Sequence, residues 1–350
     1  MRRVRSRALW ASLALGLVVV AGCANSETTT VMLVSHQPVR TRQGVRLAVI
    51  QRGTLAYYEE MENSPNVKSV TRITNFEETS AQIGPPVTSP VGDVVVYPLV
   101  ERDRQRNTLY SNLWRQVVGS PSRTPLTQGR HWNLFPAFTP DGKQLVFSSG
   151  RTSRSITLCR INIEGGGGIT QITNSMAEDY SPSVSPDGEI VAYASLPPGA
   201  ERAQVWTVQK NGSLPTQLRE GNSPQLSPDG KRILFVRRDA SSGAYQIWLM
   251  NVDATEETQL TQNTDHQWIH PRWSPDGKWI VLASNEGLNS YEEQNYDIWL
   301  MTADGRKKTQ LTTNGSRDDA PCWDRTGKSV YFRSNRGGRW NIWRFDPVMP

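Results

Sequence analysis

Histidines, carboxylates and one arginine recur at a fixed place in this sequence, just ahead of or beside a proline that opens a β-rich run. They are His131, Glu178 with Asp179, Asp265 with His266 and His270, and Arg317 with Asp318 and Asp319, with His36 a further copy. Imidazole nitrogens and carboxylate oxygens are the donors a divalent cation takes, and a ring of them could hold one or exchange protons with a substrate. Their arrangement argues for something plainer. The groups come from different repeats and do not form a local ligand motif, so the sequence predicts no metal, no cofactor and no catalytic residue. As solvated loop groups, some would cap strand ends through side-chain hydrogen bonds. Together with Trp132, Tyr180 and Trp268 they make a partner-binding face, where aromatic rings supply desolvation energy and charges steer the partner. Other catalytic patterns are missing. There is no Gly-x-Ser-x-Gly elbow. Gly327-Lys328-Ser329 lacks the earlier glycine of a phosphate loop, and Gly165 to Gly168 is a lone glycine run between strands.

The elements that must position these residues are legible from one turn. In Trp273-Ser274-Pro275-Asp276-Gly277-Lys278 the proline presets φ near −65°, aspartate suits the next position, and glycine accepts the left-handed conformation that closes a hairpin with a bulge. Thr139-Pro140-Asp141-Gly142, Ser185-Pro186-Asp187-Gly188 and Ser227-Pro228-Asp229-Gly230 repeat it. Ser89-Pro90-Val91-Gly92, Asp324-Arg325-Thr326-Gly327 and Thr41-Arg42-Gln43-Gly44 are looser copies. From Gly44 the glycine-to-glycine steps are 48, 50, 46, 42, 47 and 50 residues, a period that in all-β sequence means a propeller or an array. Each repeat continues with a strand bearing tryptophan after an aliphatic residue (Trp114, Trp206, Trp248, Trp299, Trp343). A threonine-rich strand ending Leu-Thr or Ile-Thr follows (Leu126-Thr127, Ile172-Thr173, Leu260-Thr261, Leu311-Thr312). Four strands per repeat make one propeller blade, and the fixed place of the tryptophans argues for blade-to-blade packing.

The expected fold is therefore an all-β β-propeller over residues 29–350, of seven blades, with six blades plus an N-terminal segment as the alternative. The last repeat ends at Phe345-Asp346-Pro347 without a threonine-rich strand, and the lone run Thr29 to Ser35 is the expected closing strand. Cys159 and Cys322 fall four repeats apart and should be buried free thiols.

The N-terminus carries its own chemistry. Arg2, Arg3, Arg5 and Arg7 precede the apolar run Ala8 to Val20, and Val20-Ala21-Gly22-Cys23 follows. Thirteen apolar residues are too few to span a bilayer, so residues 1–22 read as a removed export signal. The quartet resembles the lipobox of bacterial lipoproteins, which implies diacylation of Cys23, a linker over residues 23–28, and stable anchoring by several acyl chains. Ala24 and Asn25 lack the aspartate that retains some lipoproteins at the inner membrane, so the expected location is the outer membrane, facing the periplasm. Loss of four arginines lowers the net charge from +6 to +2, leaving 35 Lys and Arg against 33 Asp and Glu. Nothing in that balance calls for nucleic acid.

The repeats, with [Ser/Thr]-Pro-Asp-Gly, a β run, Ile-Trp and Leu-Thr, resemble those of the TolB family of WD-repeat-like propellers from the bacterial periplasm, over residues 36–346. The resemblance implies, by analogy, a scaffold that binds an envelope protein, and the aromatic residues add cell-wall glycan as an alternative partner. The lipobox and the near-absence of sequence before the propeller depart from TolB, a soluble periplasmic protein with a sizeable N-terminal domain. Propellers of this kind also serve as caps of prolyl peptidases and as bodies of polysaccharide lyases, so a polysaccharide-acting enzyme or carbohydrate-binding module is the alternative. The length of the chain predicts a propeller without a hydrolase domain.

Overall fold

The computed structural model describes residues 64–76, 82–152, 155–165, 168–262, 265–286 and 295–350, and the backbone of 39–41 and 44–46. Six antiparallel sheets, each four strands from inner to outer, follow one another through residues 82–347, the sixth taking its outer strand from Val67–Arg72. In blade 1 the inner strand is split into Gln82–Ile83 and Val87–Thr88. A Cβ at the intervening Gly84 would lie 2.9 Å from Pro98, so only glycine fits there. The second strand of each blade is buried along nearly its whole length, as in Gln144–Ser149, Trp279–Ser284 and Val330–Ser334. That pattern follows from sandwiching every blade between two others, which leaves no wet face for period-two alternation.

The repeated motif folds as its residues dictate. In the turns the Ser or Thr hydroxyl donates to the aspartate, at 2.6 Å for Thr139–Asp141, 2.5 Å for Ser185–Asp187 and 2.6 Å for Ser274–Asp276. The same carboxylate accepts the N–H beyond the glycine, as from Lys143 at 3.0 Å. Gly277 has φ +70°, and a Cβ there would lie 3.8 Å from Pro228 of the preceding blade; Gly188 meets Pro140 and Gly327 meets Pro275 in the same way. The turns of blades 2 to 6 thus form a chain of glycine-to-proline contacts at one end of the molecule. Trp114, Trp206, Trp248, Trp299 and Trp343 each pack into an apolar cluster between blades, as expected. Cys159 and Cys322 are buried free thiols.

The blade count differs from the seven-blade expectation: the ring has six. Among the described residues, Val39–Thr41 and Gly44–Arg46, on either side of the first expected turn, pair only with each other, as a separate two-stranded sheet. The next strand in the chain, Val67–Arg72, is committed elsewhere. It lies antiparallel to Asn341–Pro347 as the outer strand of blade 6, with Arg72 opposite Trp343 and Val67 opposite Pro347. The closing strand is therefore Val67–Arg72 and not Thr29 to Ser35, which lies outside the described residues. Thr74 completes the join. Its hydroxyl accepts from the Ile342 N–H at 2.9 Å and donates to Asn341 Oδ1 at 3.0 Å. Thr127, Thr261 and Thr312 do the same within their own blades, taking the N–H of Leu113, Ile247 and Ile298 and donating to Asn112, Gln246 and Asp297.

Candidate functional site

Five inner strands carry the same irregularity. Phe135, Ser181, Ser223, His270 and Ala320, each directly before a proline, have φ between +50° and +54°. The register jumps there. On Trp268–Trp273, for example, Ile269 faces Ala283 but Arg272 faces Val281, so the inner strand holds one residue more than its partner. Proline has no N–H to lose from the ladder, which makes X-Pro a low-cost place for a bulge. The bulges turn these residues toward the axis, and they line a central channel with Pro85 and Val87 of blade 1 and Tyr180, Asn222, Gln225 and Arg272 from the others. The channel's free volume is about 50 Å³. That is room for a few waters and too little for a sugar ring.

Position along the inner strand sorts the sequence-derived face into three groups. Asp265 is exposed, and His131, Trp132 and His266 are half-buried, all ahead of inner strands at the end opposite the Pro-Asp-Gly turns. Tyr180 and His270 sit deeper, on the channel wall. The remaining members are structural. Trp268 is fully buried between blades 4 and 5, edge-on to Trp299 with ring centroids 5.5 Å apart. Asp179 is fully buried, accepting from Ser195 at 2.6 Å and Ser175 at 3.0 Å, and burial raises its carboxyl above the usual carboxylate range. Burial raises Glu178 likewise.

Asp318 and Asp319, expected on the face, are also fully buried. Asp319 forms a fork-to-fork pair with Arg333 at 2.7 and 2.8 Å and accepts from Arg317 at 2.8 Å, while Asp318 pairs with Arg336 at 2.5 Å. Burial alone would raise the Asp319 carboxyl, but the Arg333 and Arg317 charges outweigh it and hold the carboxyl well below the usual carboxylate range. Arg317 also lies 4.3 Å over the Tyr296 ring. Arg333 reaches across to blade 1, donating to the Ile83 carbonyl at 3.1 Å. These acids and arginines lock the closing blade, and Arg333 ties it to blade 1.

Two channel groups stand apart. Burial lowers the His270 imidazole to about 4, with Asp319 opposing the shift and Arg333, Arg272 and Arg317 adding to it, and its Nδ1 is buried without a hydrogen-bond partner. Arg272 was not expected at any site. It was missed because its exposure to the axis depends on the bulge at His270, which shifts side-chain parity along the strand. Among the described residues no group of three His, Cys, Asp or Glu side chains is arranged to hold a metal ion.

A closed six-bladed ring with a narrow central channel and a variable set of loops at one end defines a β-propeller. The family follows from the sequence of its repeats: residues 85–291 match the TolB β-propeller domain, and the chain belongs to that family. It is 41% identical over 88 residues to the Tol-Pal system protein TolB of Francisella tularensis, covering 24% of this chain and 20% of that one. It is 28% identical over 221 residues to the uncharacterized peptidase YuxL of Bacillus subtilis, covering 62% of this chain and 31% of that one. The chain spans between about a fifth and a third of the length of the curated relatives it matches. Among solved structures, TolB from Acinetobacter baumannii shares the fold with a TM-score of 0.56 at 19% identity, over 77% of this chain and 64% of that one.

Proposed function

We propose that this protein is a binding platform of the bacterial cell envelope, exported, anchored through an acylated Cys23 in the outer membrane, and docking a partner protein in the periplasm. The observation that carries this reading is the contrast between the two ends of the ring. The Pro-Asp-Gly turns are uniform and mutually packed. The segments leading into the inner strands differ from blade to blade, and there Asp265 is exposed, His131 and Trp132 are half-exposed, and Met176 is 61% exposed. Rigid scaffolds with variable loops are a common way to present a binding surface. The Tol-Pal designation of the Francisella relative supports an envelope partner. No helix among the described residues is long and apolar enough to cross a membrane.

Site-specific photo-crosslinking in the native cell tests the docking surface. Probes at Trp132, Met176 and Asp265 are expected to capture one envelope protein, while probes at Leu214 and Val91, in turns at the opposite end, should not. Capture only from Leu214 and Val91 would move the working surface to the other side of the ring, and capture of glycan strands alone would replace the protein partner with cell wall. Cys23→Ser is expected to release the protein from the detergent phase; an aqueous wild type would remove the anchor.

A further inference from the structure

At the residue after the bulge proline, blades 2, 3, 4 and 6 place Ala137, Ser183, Gln225 and Cys322, whereas blade 5 places Arg272. Among the described residues lining the channel, Arg272 carries the one full charge, and no Asp or Glu lines the channel with it. Every other deeply placed guanidinium of this region has its carboxylate: Arg333 and Arg317 share Asp319, and Arg336 holds Asp318. Arg272 makes no ion pair or hydrogen bond among the described residues, and Asp319, whose charge reaches His270, is already taken. Beside it the buried Nδ1 of His270 also lacks a partner. Gln225, Asn222 and Ser223 bring further polar groups to the same space. Arg272 is half-buried in this narrow channel, and a partly desolvated cation without a counter-ion is a ready partner for an anion.

We propose that the central channel is an anion site whose ligand is a single carboxylate, received by the Arg272 fork with the polar groups of the neighbouring blade 4 beside it. The guanidinium matches a carboxylate with two parallel N–H donors. The space of about 50 Å³ admits that group and excludes a sugar ring. The carboxylate belongs either to a small free acid or to the end of a peptide chain inserted from one mouth.

Acetate is the probe, followed by the line width of its 13C resonance during titration of the full chain. Saturable broadening is expected for acetate and not for acetamide at matched ionic strength. Arg272→Gln should weaken acetate at least about tenfold, the loss expected for a charge-assisted pair. Gln225→Glu, close to isosteric and placed on the same channel, should supply the missing charge internally, raise Tm and abolish acetate binding. Equal acetate binding by wild type and Gln225→Glu, or by wild type and Arg272→Gln, overturns the proposal even if one variant is poorly folded. Acetyl-diglycine and its amide separate the sources. Tighter binding of the acid than of acetate, lost in the amide, assigns the site to a chain terminus; acetate binding as tightly as the acid assigns it to a free acid; equal binding of acid and amide refutes a carboxylate site.

Discussion

Blade 6 buries two arginines and the channel wall of blade 5 holds one half-buried, and the two treat them oppositely. In blade 6 Arg333 is 2% exposed, lies on a fork-to-fork carboxylate, and spends a third donor on blade 1. Arg336 sits against Asp318, with Phe332 and Trp343 under its guanidinium at 5.1 and 5.3 Å. On blade 5, Arg272 faces a water-sized space with nothing to neutralise it. A buried charge that is fully paired reports on architecture, since removing either partner strands the other. A charge left unpaired at an axis shared by six blades reports on something the ring receives.

The largest effect expected from breaking this contrast is at the paired end. Asp319→Ala leaves Arg333 and Arg317 without a counter-charge and should lower unfolding free energy by about 3–5 kcal/mol, read as a drop in urea midpoint at unchanged m-value. A drop as small as that of a surface substitution would show the pair to be dispensable. Next is a pH dependence assigned to His270. The unfolded imidazole takes a proton near its ordinary value of about 6.5, the folded one only near 4, so between these limits the unfolded chain binds more protons. Stability must then fall as pH drops from about 6.5 to 4, by up to about 3 kcal/mol. His270→Gln should flatten that part of the profile relative to wild type, and parallel profiles would mean His270 titrates normally. Thr74→Val is smaller. It strands the Ile342 N–H, while Asn341 Oδ1 keeps the Phe76 N–H, at a cost of about 1–3 kcal/mol, and Thr312→Val in blade 5, which strands the Ile298 N–H in the same way, should cost a similar amount. The smallest effect sharpens the comparison most: Arg272→Met should change stability by less than about 1 kcal/mol or raise it, since no partner is left behind.

The blade itself was legible in the sequence because its signals are local. A turn of four residues, an Ile-Trp pair and a Leu-Thr pair each act within one repeat, and the structure places them in the turn, the third strand and the end of the outer strand. The count of blades was not, because closure joins residues far apart in the chain: Thr74 and Asn341 are 267 positions apart. A signal was present. Ile73-Thr74-Asn75 repeats Ile172-Thr173-Asn174, and marks the missing outer strand better than Thr29 to Ser35. The site misled for a different reason. Asp318 and Asp319 look like a charged loop until the hairpin is folded on Gly327, which sets Asp319 directly opposite Arg333. Cross-strand register, not composition, decides whether such a carboxylate is surface or core. Arg272 escaped notice because one extra residue at His270-Pro271 resets which side chains see the axis.

The strand Val67–Arg72 also sets an order of events. It is made early, yet its hydrogen-bonding partner Asn341–Pro347 emerges only after five complete blades. Until then the first-made edge has no mate, and the last blade has three strands and an open ladder. Ring closure therefore waits on the final stretch of synthesis, and must cover the loop-closure entropy of almost the whole propeller in one step. Blades 1 to 5 close on local hairpins and can form as they appear, whereas closure depends on long-range pairing of the kind that folds slowly. A chain interrupted before Asn341 would hold nearly all of its blades and still be an open arc, exposing two unpaired strand edges.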